Sequence, residues 1–133
     1  MRTIAILTLL AALIGVAIAE QICIAKTYNH MKSETAEIVA IVQAYDAPKE
    51  TLKFDEYLKI RADELHKYWL KRERQLGVII RHIDLSYISD ALIYAQNFIH
   101  ADNKEEALAG LRRLEYLLDS YSKIYGLNGV NIL

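Results

Sequence analysis

Four histidines, a single cysteine and 17 acidic residues are the raw material for chemistry in this chain. Asp63 and His66 stand three apart, a spacing that puts both on one face of a helix. A dinuclear carboxylate bundle needs two Glu-x-x-His pairs on separate helices and two further glutamates. Here only one Asp-based half is present. His82 and Asp84 offer two more ligands near a turn, but two ligands do not define a metal. His30 and His100 have no such companion, so all four histidines read as helix-surface or capping residues. Cys23, being alone, excludes an internal disulfide and a cysteine-built zinc cage. There is no glycine-rich phosphate loop and no Gly-x-Ser-x-Gly elbow, and no pattern sets a nucleophile beside a base. The expectation is a protein that is not an enzyme, with no catalytic, cofactor-binding or metal-ligating residues.

Charge narrows the partners. Arg2 is the only charged residue before Glu20, so the remainder holds 15 of the 16 basic residues against all 17 acidic ones. A nearly neutral domain casts no broad positive field, and nucleic acid is therefore not an expected partner.

The elements that would carry any site come next. From Ile4 to Ala19 no charge interrupts an apolar run diluted only by Thr8 and Gly15. As a helix it measures about 24 Å, short of the roughly 30 Å hydrocarbon core of a bilayer. It is also slightly long for a signal-peptide apolar region, which is usually about 7–15 residues. Ala17, Ile18 and Ala19 form an A-x-A cleavage pattern. Beyond Glu20 and Gln21, however, Ile22, Cys23, Ile24 and Ala25 resume the apolar character. A continuous helix from Ile4 to about Ala25 spans with some tilt. The reading adopted is an uncleaved anchor over residues 1–25, followed by an extracytoplasmic helical domain over 26–133. Secretion after cleavage behind Ala19 is the alternative. Arg2 and the order of basic start then apolar run favour an N-terminus inside, although Lys26 and Lys32 weaken the charge bias.

After the anchor, apolar residues recur in three- and four-residue steps, each set giving a helix with one buried stripe. The first offers Ile24, Tyr28, Met31, Thr35, Ile38, Val42 and Tyr45, and stops at Asp46, Ala47 and Pro48 because proline disfavours helix before it. The second offers Leu58, Ala62, Leu65, Trp69, Arg72, Leu76, Ile79 and Ile83. Asp84 is a natural N-cap for a third, with Leu85, Ile88, Leu92, Ala95 and Ile99. The fourth follows Asp102 and Asn103, has Glu105 and Glu106 in its first turn where the helix dipole favours acids, and carries Ala107, Leu111, Leu114, Leu118, Tyr121 and Tyr125 before a stop at Gly126. Lys49 to Leu52 echoes Glu105 to Leu108 as if two hairpins were related. Short connections of about two to four residues force neighbouring helices antiparallel. The expected fold is all-α: an N-terminal membrane helix and an antiparallel up-down bundle of about four helices, with Trp69 at its centre.

Such a bundle returns its second helix to membrane level near residue 71, which makes Lys71, Arg72 and Arg74 candidates for contact with lipid headgroups, the alternative being an ordinary solvated helix face; the helix must then bend at Gly77, or the bundle must tilt. Arg72 falls on the apolar stripe, so its stem must snorkel outward, meet an acid, or sit where the helices splay.

The run RHIDLSYISDALIYAQNFIHADNKEEALAGLRRLEYLLDS from Arg81 and the closing GLNGVNIL, with the N-terminal apolar segment, resemble the bacterial family termed domain of unknown function 4363. The resemblance covers nearly the whole chain and is most specific from Trp69 onward, resting on His82, Asp84, the Lys104, Glu105, Glu106, Ala107 run and the final Asn131, Ile132 and Leu133. The first hairpin departs from it at Ala47, Pro48, Lys49 and Glu50. The resemblance implies a small, N-terminally anchored helical protein outside the cytoplasm, and it implies no activity, cofactor or site residue.

The function expected is a non-enzymatic, membrane-anchored interaction or scaffolding module with a protein partner. A ligand-sensing subunit that works with another membrane protein is the alternative. A sensor calls for a polar cavity between helices, whereas a scaffold calls for an exposed apolar or aromatic patch, for which Tyr57, Tyr87, Tyr94 and Tyr116 are the candidates.

Overall fold

A computed structural model describes residues 1–125, which form four helices: α1 (Arg2–Ala44), α2 (Glu56–Leu76), α3 (His82–His100) and α4 (Lys104–Tyr125). They pack antiparallel, each against its two neighbours, with α4 lying along both α1 and α3. The stop expected at Gly126 and the tail 127–133 lie outside the described residues.

The anchor and the first bundle helix are one element. α1 runs 43 residues without a break, about 64 Å. At the expected boundary of 25 and 26 the backbone does not change; the environment changes about one turn earlier. Residues 2–19 are exposed all round, Glu20 and Gln21 are half-buried, and from Ile24 one stripe faces the core. That stripe is Ile24, Thr27, Tyr28, Met31, Thr35, Ile38, Val39 and Val42, the expected set with Thr27 and Val39 added and without Tyr45, which lies past the helix end and is only half-buried.

The core closes with Leu58, Ala62, Leu65, Trp69 and Leu76 from α2, Leu85, Ile88, Ala91, Leu92, Ala95 and Ile99 from α3, and Ala107, Leu111, Leu114 and Leu118 from α4. Trp69 is fully enclosed and donates its indole N–H to Ser89 Oγ at 2.7 Å, the kind of partner a buried indole requires. Between α3 and α4 the backbones meet at Gly110, where a Cβ would stand 2.9 Å from the Ala95 nitrogen and 2.8 Å from Tyr94 Cδ1.

Three expectations are corrected. The first connection is long, spanning residues 45–55. Lys49 to Leu52 makes only one turn, with the Thr51 and Leu52 N–H groups donating to the Pro48 carbonyl; the echo of α4's start is not a helix. Leu52 and Phe54, two apart on extended chain, both turn inward and plug the end of the core. Asp102, at a φ of +56°, accepts from the Phe54 N–H at 2.9 Å and pairs with Lys59 at 3.3 Å. Asp55 then caps α2 by accepting from the Leu58 N–H at 2.9 Å.

Secondly, α2 ends at Leu76 rather than Ile83. Gly77 caps it, and the Ile79 and Ile80 N–H groups both donate to the Leu76 carbonyl at 2.9 and 2.8 Å, reversing the chain. Ile80, not Ile83, fills the end of the core, and Ile83 is left 54% exposed. Thirdly, Asp84 is not the N-cap of α3. Arg81 holds that position, and Asp84 sits in the first turn with its side chain turned inward. Asn103 caps α4, accepting from the Glu106 N–H at 3.2 Å.

Candidate functional site

The end of the bundle from which the exposed half of α1 emerges gathers the charged and apolar groups of most interest. The helix register defines that end. Arg61 on α2 reaches Glu37 and Glu34 on α1 at 2.6 and 2.9 Å, and His30 packs on Tyr68 with ring centroids 4.2 Å apart. Followed along two antiparallel helices, this register brings Leu76 level with residues 20–24 of α1. Lys32 and Asp119, 3.4 Å apart, fix α4 likewise, so Tyr121 and Tyr125 arrive at the same end.

The expected headgroup residues lie just inside it. Because α2 starts at Glu56, later than a turn at Pro48 allows, the level reached is that of Leu76 rather than residue 71. Arg74 is two residues from the end and Lys71 five, about 3 and 8 Å along the axis; both are exposed. Arg72 is not buried in the stripe. It is half-exposed, donates to Gln75 Oε1 at 3.1 Å and stands over the Tyr68 ring, 5.3 Å from its centroid, a cation–π placement that solvates its charge.

Outermost is the turn 77–81 with the start of α3. Val78 is 87% exposed, Ile83 projects beside it, and the Arg81 side chain is largely open to solvent. Behind them a polar cluster closes the bundle. Asp84, only 3% exposed, accepts from Arg81 Nε and Nη2 at 3.0 and 3.2 Å and from the Tyr125 hydroxyl at 2.5 Å. Burial alone would raise its carboxyl; the hydrogen bonds from Tyr125 and Arg81 outweigh burial and hold it below the usual carboxylate range. Burial, followed by the Asp84 charge, raises Tyr121; burial, followed by the hydrogen bond to Asp84, raises Tyr125. Tyr28 is raised by burial first and then by Tyr125 and Asp84. Its hydroxyl is buried without a hydrogen-bond partner among the described residues. Tyr125 had been assigned to the apolar stripe by its spacing; nothing in the spacing marks it as the donor that satisfies a buried acid.

The two His/Asp pairs do not form as such. Asp63 turns away from His66 and takes Gln96 Nε2 and His100 Nε2 on α3, each at 2.7 Å. Asp84 pairs with Arg81 rather than His82. Among the described residues no group of three or more His, Cys, Asp and Glu side chains gathers about one point.

The four tyrosines expected to form a patch are scattered. Tyr57, at the far end, accepts from Arg61 at 2.9 Å; Tyr94 donates to Glu106; Tyr87 sits on the second turn of α3; Tyr116 is 72% exposed on α4. An open groove beside Gly110, lined by Ala91, Tyr94, Ala109 and Arg113, separates α3 from α4 on the outer surface.

Residues 2–19 are long and apolar enough, with their continuation, to cross a membrane, a property shared by anchors and signal sequences. Compared with known proteins, the chain matches no family model, no curated protein and no solved structure.

Proposed function

We propose that the chain is a non-enzymatic, membrane-anchored helical module that stands on the extracytoplasmic face and engages a protein partner. The observation that carries this reading is α1 itself. One uninterrupted helix is apolar and exposed through residues 2–19 and then supplies the core stripe of the bundle. An exposed apolar helix needs an apolar solvent. Because no linker separates the two halves, cutting behind Ala19 removes the helix just where the bundle begins to cover it. The bundle is thereby held at a fixed angle and height on the bilayer, which suits a scaffold.

Three measurements test it. Intact mass of the membrane fraction is expected to retain residues 1–19. In a Cys23→Ser background, Glu105→Cys at the far end is expected to react with a membrane-impermeant maleimide on intact cells. A photocrosslinker at Tyr116 is expected to give one discrete adduct in native membranes. A protein lacking residues 1–19 in the medium overturns the anchor in favour of secretion. An adduct only with small molecules favours the ligand-sensing subunit.

A further inference from the structure

We propose that the turn between α2 and α3 is a second membrane contact, with Val78 and Ile83 dipping into the boundary between headgroups and acyl chains of the bilayer that holds α1. The inference rests on the anchored reading and adds to it a docked orientation of the whole bundle.

Length carries the argument. The fully exposed part of α1, residues 2–19, measures about 27 Å as a helix, while a hydrocarbon core is roughly 30 Å thick. The apolar segment is therefore consumed by the bilayer with nothing to spare, and Glu20 and Gln21, already half-covered by the bundle, fall at the interface. No spacer holds the bundle away. Leu76 is level with this same turn of α1, so the residues beyond it, 77–83, are the part of the bundle nearest the lipid. Their exposure fits that place. Val78 and Ile83 are 87% and 54% exposed on a reversal where polar residues are usual, and Ile80 between them is buried in the core, so the turn is fixed rather than loose.

Charge agrees with an anionic bilayer surface. Lys71 and Arg74 are exposed within the last two turns of α2. Two of the acids nearby are already engaged: Glu73 accepts from Ser89 Oγ at 3.0 Å, and Asp84 is buried under Arg81 and Tyr125; Glu20 has no such partner among the described residues. Basic side chains behind an apolar tip are the arrangement by which surface-lying segments hold to anionic lipid.

The test uses the full chain in nanodiscs of mixed phosphatidylglycerol and phosphatidylcholine. An environment-sensitive fluorophore is attached, in a Cys23→Ser background, at Val78→Cys, at Glu105→Cys or at Leu10→Cys, and quenched by lipids spin-labelled at shallow or deep positions. The expected result is strong quenching of the Val78 probe by shallow labels with a blue-shifted emission, none at Glu105, and quenching of the Leu10 probe by deep labels. A Leu10 probe quenched by deep labels beside an unquenched Val78 probe overturns the docked turn and leaves the anchor intact. An unquenched Leu10 probe overturns the anchor and this contact with it. Equal quenching at Val78 and Glu105 means that the bundle lies flat, which also overturns the proposal.

Discussion

The two halves of α1 share one backbone and differ in their solvent. Residues 2–19 are apolar on every face, and every face is exposed. The half from Ile24 to Val42 is apolar on one stripe and charged or polar elsewhere, with Lys26, Lys32, Glu34 and Glu37 outside the core. Helix propensity does not separate the halves; the angular distribution of apolar side chains does. A stripe needs a protein surface to cover it, whereas uniform apolarity needs a medium that is apolar on all sides. The same helix therefore reports two solvents, and the change falls within the single turn at residues 20–24.

Substitutions that act on one half only break this comparison most directly. Met31 is fully buried, so Met31→Ala is expected to lower bundle stability by roughly 2–5 kcal/mol. Urea unfolding of the detergent-solubilised protein measures it. Leu10→Ala, in the exposed half, is expected to leave that midpoint unchanged. Conversely, Leu10→Arg puts a charge at the middle of the apolar segment, costing about 2.5–3.5 kcal/mol of insertion. It is expected to shift the protein out of the membrane fraction while the helical circular dichroism of the bundle is retained. If Leu10→Ala destabilised the bundle, residues 2–19 would be packed on protein rather than lipid.

The bundle's own ends sharpen the contrast, because they hold its polar groups. Asp84→Ala removes the acceptor of Arg81 and Tyr125, leaving the Tyr125 hydroxyl half-buried without its partner; the expected cost is about 1–3 kcal/mol. The pH dependence has a definite sign. The Asp84 carboxyl is held below its ordinary value in the folded state, so its contribution is fully present above the unfolded value near about 3.9 and is lost as pH falls through the folded one. The stability gap between the parent and Asp84→Asn should thus be constant near neutrality and narrow only in acid below about pH 4. A gap that closed between pH 6 and 8 would assign the effect to another group.

How much of this was legible in the sequence follows from the same physics. Stripes set by period are read directly: most core positions of α1, α3 and α4 fall on three- and four-residue steps, with Thr27, Val39, Asp84 and Gly110 among the exceptions. Reversals were not. At 77–83 the apolar pattern of α2 runs on into Ile79 and Ile83, and only the competition between Ile80 and Ile83 for the end of the core decides where the helix stops. Lys49 to Leu52 has helix-forming residues but too few to nucleate beyond one turn before Leu52 and Phe54 are drawn inward. The partners of acids engaged across the bundle were hidden for a different reason. Asp63 meets His100 and Asp84 meets Tyr125 across 37 and 41 positions of sequence, distances at which local spacing carries no information. Lys71, Arg72 and Arg74 stand one turn or so inside the end of α2, because the first connection is longer than the proline at 48 suggests.

The smallest expected effects belong to two glycines, one in each environment, and they sharpen the comparison because the substitution is identical. In a helix interior, Gly→Ala gains about 1 kcal/mol of propensity wherever the methyl group has room. At Gly110 it has none: the new Cβ would meet the Ala95 nitrogen and Cα at 2.9 and 3.0 Å, and backbone cannot swing aside as a side chain can. Separating α3 from α4 costs roughly 1–3 kcal/mol, so Gly110→Ala is expected to be net destabilising by about 1 kcal/mol. At Gly15 no atom lies within 4 Å of the added carbon, and the residue belongs to the half assigned to lipid. Gly15→Ala is expected to leave bundle unfolding within error of the parent and membrane retention intact. If instead Gly15→Ala altered crosslinked dimer formation in membranes, the exposed half of α1 would be packing on a second helix there, and lipid would not be its whole environment.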